Sequence, residues 1–237
     1  MKDKVPVREF DKFADGYTAA LRDPLRDAFA QDPAHFHQRK LDLLRITLER
    51  RGLTPGEMTW IDVGCGLGAL LRLGKPYFGR VAGCDVSSEM LAGSTGIPLL
   101  HQCDPCRLPF DDASADLISA VCLFHHVEEK DRSSLMSEMF RVLKPGGLLA
   151  VIEHNPFNPA TQWIVKRSPV DENAVLLTPR ASRKLLQISG FHFEGIDYFL
   201  YLPERLHRTF GGLEALFRRL PLGGQYLALG AKRPQTK

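Results

Sequence analysis

The sequence predicts an α/β fold: a Rossmann-like, mostly parallel, doubly wound sheet of seven strands with a terminal antiparallel hairpin, an amino-terminal helical lid and an inserted amphipathic helix. Three observations lead there. An apolar run from Thr59 breaks into Gly64, Gly66 and Gly68, glycines at every second position, and Leu67, Leu70 and Leu71 follow at helical spacing, so the stretch reads as strand, tight turn and helix. A second apolar run, Arg80 to Asp85, ends on an acid twenty-one residues after Gly64. Asp116 to Cys122 is a continuous apolar strand, as expected at the centre of a parallel sheet covered on both faces.

One domain accounts for the 237 residues, divided into a helical lid (1–55), a core (56–153) and a later segment ending in the hairpin (154–237). In the lid, Phe10, Phe13, Ala14 and Tyr17 recur at helical spacing, and Phe36, Lys40, Leu41, Leu44 and Leu48 mark a second helix closed by Gly52. In the core, glycine after the first strand reaches positive φ without steric cost and lets a ligand approach the backbone. Ser87 is placed to cap a short helix through Met90 and Leu91, and 98–102 is a brief third strand. Asp131 opens a helix that stops at Lys144-Pro145-Gly146-Gly147, and 148–152 is the fifth strand. A helix from Thr178-Pro179 to Gly190 precedes two late strands, near 191–200 and 225–230.

Charged residues are 25% of the chain and the formal net charge is +3, too slight to indicate a nucleic-acid partner. The start, Met1 to Pro6, lacks the apolar core of a signal peptide, and the apolar stretches fall far short of a membrane span, so a soluble cytoplasmic protein is expected. Five cysteines, an odd number, fit reduced thiols. Cys65, Cys84, Cys103 and Cys122 each fall at or just past a strand's carboxyl end and Cys106 follows closely, so they are expected to line one rim as small apolar groups. Cys103-x-x-Cys106 lacks the second pair, or the two histidines, of a structural zinc site, and no metal is expected.

Four motifs stand in order: Asp62-Val63-Gly64-Cys65-Gly66-Leu67-Gly68; Cys84-Asp85-Val86-Ser87-Ser88-Glu89-Met90-Leu91; Asp104 with Leu108-Pro109-Phe110; and Leu143-Lys144-Pro145-Gly146-Gly147. Over about residues 10 to 200 the chain thereby resembles the class I S-adenosylmethionine-dependent methyltransferases, of the small-molecule type found in ubiquinone and menaquinone biosynthesis. The resemblance implies S-adenosylmethionine as cofactor and S-adenosylhomocysteine as its product. Tyr17, Lys40, Asp62, Gly64, Cys65, Gly66, Gly68, Asp85, Val86, Met90, Asp104 and Cys122 are the cofactor-binding residues it implies. Asp85 is expected at the ribose hydroxyls, Asp104 at the adenine amino group, and Lys40, Arg39 or His37 at the methionine carboxylate. Pro105 departs from the family pattern, having no N–H to offer the adenine ring. Phe10-Asp11 with Ala14 and Tyr17 is similar to the lid that many small-molecule methyltransferases fold over the cofactor; packing of these aromatics on the sheet is the plain alternative.

Ligands of open α/β sheets bind beyond the carboxyl ends of the strands, which makes His125, His126, Glu153 and His154 the catalytic candidates. A sulfonium carbon is already activated, so the protein chiefly aligns donor and acceptor. A base adds roughly 10²- to 10⁴-fold where the acceptor is a hydroxyl, and a histidine after the fourth strand facing an acid after the fifth fits a base with its orienting partner. The expected reaction is metal-independent methyl transfer to the hydroxyl oxygen of a small-molecule or lipid-linked acceptor. Carbon methylation of a quinone-type ring and a non-catalytic, cofactor-binding regulatory protein are the alternatives. Residues 154–177 are expected to form part of the acceptor pocket. Residues 203–220 carry Leu206, Phe210, Leu213, Leu216, Phe217 and Leu220 beside Arg205, Arg208, Arg218 and Arg219, a stripe that suits an anionic membrane surface, the chain's own sheet or a homodimer partner.

Overall fold

The computed structural model describes residues 8–92 and 96–234; the reading of Met1 to Pro6 lies outside the described residues. Seven strands form its centre: β1 (Thr59–Val63), β2 (Arg80–Asp85), β3 (Leu99–His101), β4 (Ala115–Val121), β5 (Leu143–His154), β6 (His192–Phe199) and β7 (Gln225–Ala231). Their order is β3-β2-β1-β4-β5-β7-β6, with β7 antiparallel to both its neighbours and the β1–β2, β2–β3, β1–β4 and β4–β5 pairs parallel. This is the expected Rossmann-like sheet. Strand order reverses between β1 and β4, the point at which such sheets open a crevice for ligands.

The lid comprises α1 (Arg8–Asp11), α2 (Tyr17–Ala20), α3 (Pro24–Phe29) and α4 (Pro33–Glu49). After it come α5 (Ala69–Gly74), α6 (Ser88–Ala92), α7 (Glu129–Val142), α8 (Pro159–Arg167), α9 (Pro179–Ile188), α10 (Glu204–Phe210) and α11 (Glu214–Phe217). The pleat sends alternate strand residues into two layers. On one side Trp60, Leu117, Leu148 and Ile152 pack with Leu41, Leu44 and Leu48 of α4 and Leu70 and Leu71 of α5. On the other, Ile61, Val63, Ile118, Leu149 and Val151 pack with Leu135, Met136 and Met139 of α7 and Leu185 and Leu186 of α9.

Three departures from the sequence reading have local causes. The aromatics from Phe10 to Tyr17 do not share one helix, because a 3-10 turn at Ala14–Gly16 separates α1 from α2, and Asp23 then starts α3 afresh by accepting the Leu25 amide at 2.8 Å. The stripe at 203–220 is likewise broken, at Gly211–Leu213. Glu214 turns inward there, ion-paired to Arg39 and accepting the Leu202 amide at 2.9 Å. Finally, the connection after β5 contains a helix, α8, begun by Pro159 and capped by Asn158, whose side chain accepts from the Thr161 amide at 3.0 Å.

Candidate active site

The turn between β1 and α5 is built as the glycines require. Gly64, Gly66 and Gly68 have φ of 72, 50 and 71°, the left-handed region that only glycine enters freely. The amides of Gly64 and Cys65 donate to the Cys84 carbonyl at 2.8 and 3.0 Å, which ties the turn to β2. The Gly66 amide donates to Asp85 Oδ2 at 2.8 Å, and Asp85 Oδ1 accepts from the Ser87 amide at 2.9 Å. Ser87 Oγ accepts from the Met90 amide at 3.2 Å, capping α6 as expected, and donates to Asp11 Oδ1 at 2.5 Å. That last bond fastens α1 of the lid to the loop after β2.

Asp62 lies beneath this turn. Its Oδ1 accepts from Ser119 Oγ at 2.5 Å, and that hydroxyl accepts from Trp60 Nε1 at 2.7 Å. Burial pushes the Asp62 carboxyl up to about 7 in spite of the Ser119 bond and the nearby Lys40. Burial also raises Asp85, against the pull of its amide donors.

A cavity of about 260 Å³ opens over these groups. Of the residues the resemblance implies for the cofactor, Tyr17, Lys40, Asp62, Gly64, Cys65, Gly66, Asp85, Val86, Met90 and Cys122 line it. Gly68 and Asp104 do not. Gly68 is the N-cap of α5, and Asp104 Oδ1 accepts from the Cys106 amide at 2.8 Å, closing its own turn. Gln102 and Pro105 line that corner instead. The cationic side chains that line the cavity are Lys40 and Arg26, the second of which the sequence reading missed; His37 lines it too. Arg39 is taken by Glu214, and burial lowers His37 to about 3, leaving it neutral with an unpartnered Nδ1. The cysteines do not share one rim either: Cys65 and Cys122 line the cavity, whereas Cys84 is buried against Gln102 and Cys103 is exposed. All five are free.

The histidine pair follows β4. Glu153, wholly buried in β5, accepts the amides of Leu123 and Phe124 with Oε1, at 3.1 and 2.7 Å, and meets His125 Nδ1 with Oε2 at 2.5 Å. His125 Nε2 lies 3.3 Å from Asp171 Oδ1, and His126 Nε2 lies 3.4 Å from the same oxygen. Burial works against a charge on His125, but Glu153 and Asp171 outweigh it and push the imidazole up to about 10. Burial correspondingly opposes the two carboxylates, and their histidine partners hold both below the usual range. His126 is lowered by burial and by its charged neighbour.

Of the four catalytic candidates only His126 lines the cavity, with Phe10 of the lid edge-on to it at 4.9 Å. His125 and Glu153 stand behind it as a buried pair, and His154 contacts Gln225 at 3.4 Å away from the cavity wall. Cys122, at φ 52°, presents its sulfur to Lys40 Nζ at 4.0 Å and Gln225 Nε2 at 3.4 Å. Burial would raise that thiol; Lys40 and His154 bring it down to about 7. Asp171 and Gln225 carried no signal in the sequence, since each reaches the site from a segment distant from any motif.

The donor set suits the cofactor that the motifs imply. Asp62 and Asp85 are buried carboxylates without a cationic hydrogen-bond partner among the described residues, fitted to an ammonium group and to ribose hydroxyls, with Lys40 and Arg26 nearby for a carboxylate. Residues 61–151 match the family described as Methyltransferase domain. Residues 61–151 thus carry a class I methyltransferase domain match. S-adenosylmethionine is the cofactor of such a domain.

The chain is 32% identical over 129 residues to the 2-methyl-6-phytyl-1,4-hydroquinone methyltransferase of Synechocystis, covering 51% of this chain and 40% of that one. It is 34% identical over 137 residues to the ubiquinone/menaquinone biosynthesis C-methyltransferase UbiE of Bordetella avium, half of each chain. It is also 34% identical over 100 residues to a probable tRNA methyltransferase 9B of mouse, 41% of this chain and 22% of that one. The chain thus spans half or less of the length of these relatives. In fold, the chain is similar to a possible histamine N-methyltransferase of Thermotoga maritima, with a TM-score of 0.69, 17% identity, and coverage of 97% of this chain and 100% of that one.

Proposed function

We propose that the chain transfers a methyl group from S-adenosylmethionine to a hydroxyl oxygen of a small, largely apolar acceptor, with His126 as the base. The observation that carries this reading is the position of His126. It lines the cavity beside Phe10, Leu123 and Val127, while Asp171 stands at its Nε2. The cofactor supplies a methyl group on a sulfonium centre, so what remains for the protein is alignment and removal of the acceptor's proton. Asp62, Asp85 and Lys40 would hold the cofactor. Glu153 fixes the loop that carries His126 by accepting two of its amides, and Phe10 of the lid packs edge-on against the imidazole.

A second reading, carbon methylation of a hydroquinone-type ring, draws support from the Synechocystis and Bordetella relatives. The same base would then remove a ring or hydroxyl proton. Lipid-linked acceptors are supported by the exposed apolar residues Leu206, Phe210, Leu213, Leu216 and Leu222, which stand with exposed Arg205, Arg208 and Arg219 and suit an anionic bilayer surface.

Mass spectrometry of products from phenolic and hydroquinone acceptors separates the two readings by the methylated atom. His126→Ala should lower turnover at saturating acceptor by roughly 10²- to 10⁴-fold with cofactor affinity unchanged. A change below about threefold would remove the base from the reading and leave alignment alone.

A further inference from the structure

Behind the cavity wall, three segments that share no motif bring metal-ligating atoms together. One each from His125 after β4, His154 at the end of β5 and Asp171 in the turn Pro169–Asp171 lie within 4.8 Å of one another. We propose that these three side chains bind a divalent transition-metal ion, zinc by the chemistry of the donors.

Four features support a site rather than a chance meeting. His125 is 2% exposed, and its Nε2 faces Asp171 Oδ1 at 3.3 Å without the alignment of a hydrogen bond, so the atom is buried and unpartnered. A separation of about 3.3 Å is what two ligands show when each binds one tetrahedral zinc at about 2.0–2.1 Å. The other ring nitrogen of His125 is already engaged by Glu153, at 2.5 Å, the arrangement in which a carboxylate orients a ligating histidine and makes it more basic. Two imidazoles and one carboxylate are a donor set for zinc, or for iron, rather than for calcium or magnesium, which take oxygen ligands.

His154 must close in for a complete site, and its ring centroid is 5.3 Å from that of His125. Three protein ligands leave a fourth position for water or another oxygen ligand. Bound there, the ion would hold the turn at 169–171 against the carboxyl ends of β4 and β5, and through Asp171 it would fix the carboxylate that faces His126. The sequence reading expected no metal because it sought ligands at short spacing, and these three are far apart along the chain.

The test uses the full chain, stripped with chelator and free of cofactor and acceptor, so its outcome is independent of any acceptor reading. Zinc is titrated in competition with a chromophoric chelator, and cobalt(II) serves as a spectroscopic substitute. We expect one ion per chain, a cobalt spectrum of a low-coordinate nitrogen and oxygen site, and a rise in melting temperature with zinc. His154→Ala and Asp171→Asn should each weaken binding more than ~100-fold, beyond the ~10- to 100-fold typical of losing an orienting group alone. The double variant H101A/C103S, which removes an exposed pair of possible ligands, should bind as the parent does. Melting of each variant without metal verifies that it folds, and His154→Gln replaces His154→Ala if it does not. Absence of binding by the parent, survival of binding in either ligand variant, or its loss in H101A/C103S overturns the proposal.

Discussion

Replacing Asp62 by asparagine should make the cofactor-free protein more stable at pH 8 while weakening its hold on the cofactor. The carboxyl is moved by burial from its ordinary 3.8 to about 7. At about 1.4 kcal/mol per pH unit, ionising it in the folded chain costs about 4 kcal/mol more than in the unfolded one. Between these two values the unfolded state releases its proton and the folded state keeps it, so stability falls as pH rises from about 4 to about 7. Asparagine retains an oxygen to accept from Ser119 but adds an amide that needs its own partner, at about 1–3 kcal/mol if unmet. The net expectation is a gain of about 1–3 kcal/mol at pH 8 that shrinks toward pH 5. S-adenosylhomocysteine, whose amino group is matched to the lost charge, should bind the variant about 1.5–3 kcal/mol more weakly. The parent's affinity should rise with pH through about 7, whereas the variant's should not follow that step. Urea unfolding at pH 5 and pH 8 measures the first effect and calorimetric titration the second. A stability difference between variant and parent that is the same at both pH values would refute the claim that burial holds this carboxyl protonated.

Two further outcomes follow from the packing. Glu153→Ala strands a buried histidine and two loop amides, and should cost about 3–5 kcal/mol in urea unfolding; a loss below about 1 kcal/mol would mean that the β4 loop does not depend on it. Leu216→Asp should abolish sedimentation with anionic vesicles while leaving the fold intact, since Leu216 is 76% exposed, and equal sedimentation of parent and variant would remove the membrane from the account of 203–220.

The sheet and the part of the cavity lined by the β1 and β2 ends were legible because their determinants are local. Gly64, Gly66 and Gly68 declare positive φ by residue type, and Asp62 and Asp85 follow from the strand ends on which they sit. The rest of the site depends on where distant segments meet. Asp171 and Gln225 reach the histidines from a loop turn and from the start of β7, and nothing in their flanking residues marks that meeting. Burial decided the remaining differences: His37 and Arg39 look equivalent to Lys40 along the chain, yet one is held neutral in the wall and another is spent on Glu214. Glu153 was legible as a polar group after a strand but not as the peg that holds a loop.

The placement of β7 has a consequence for the order in which the fold can be completed. It fills the slot between β5 and β6, pairing Ile152 with Leu227 and His154 with Gln225 on one side and Tyr198 with Tyr226 on the other. On a ribosome, β1 to β5 can assemble as they emerge, but the far edge of β5 stays open until residue 231 has left the exit tunnel. An open, strongly apolar edge of that kind invites pairing with other nascent chains, and β6 cannot cover it because it has no direct partner in β5. Docking of β7 closes that edge, and only then does Gln225 reach Cys122 and His154 behind the cavity.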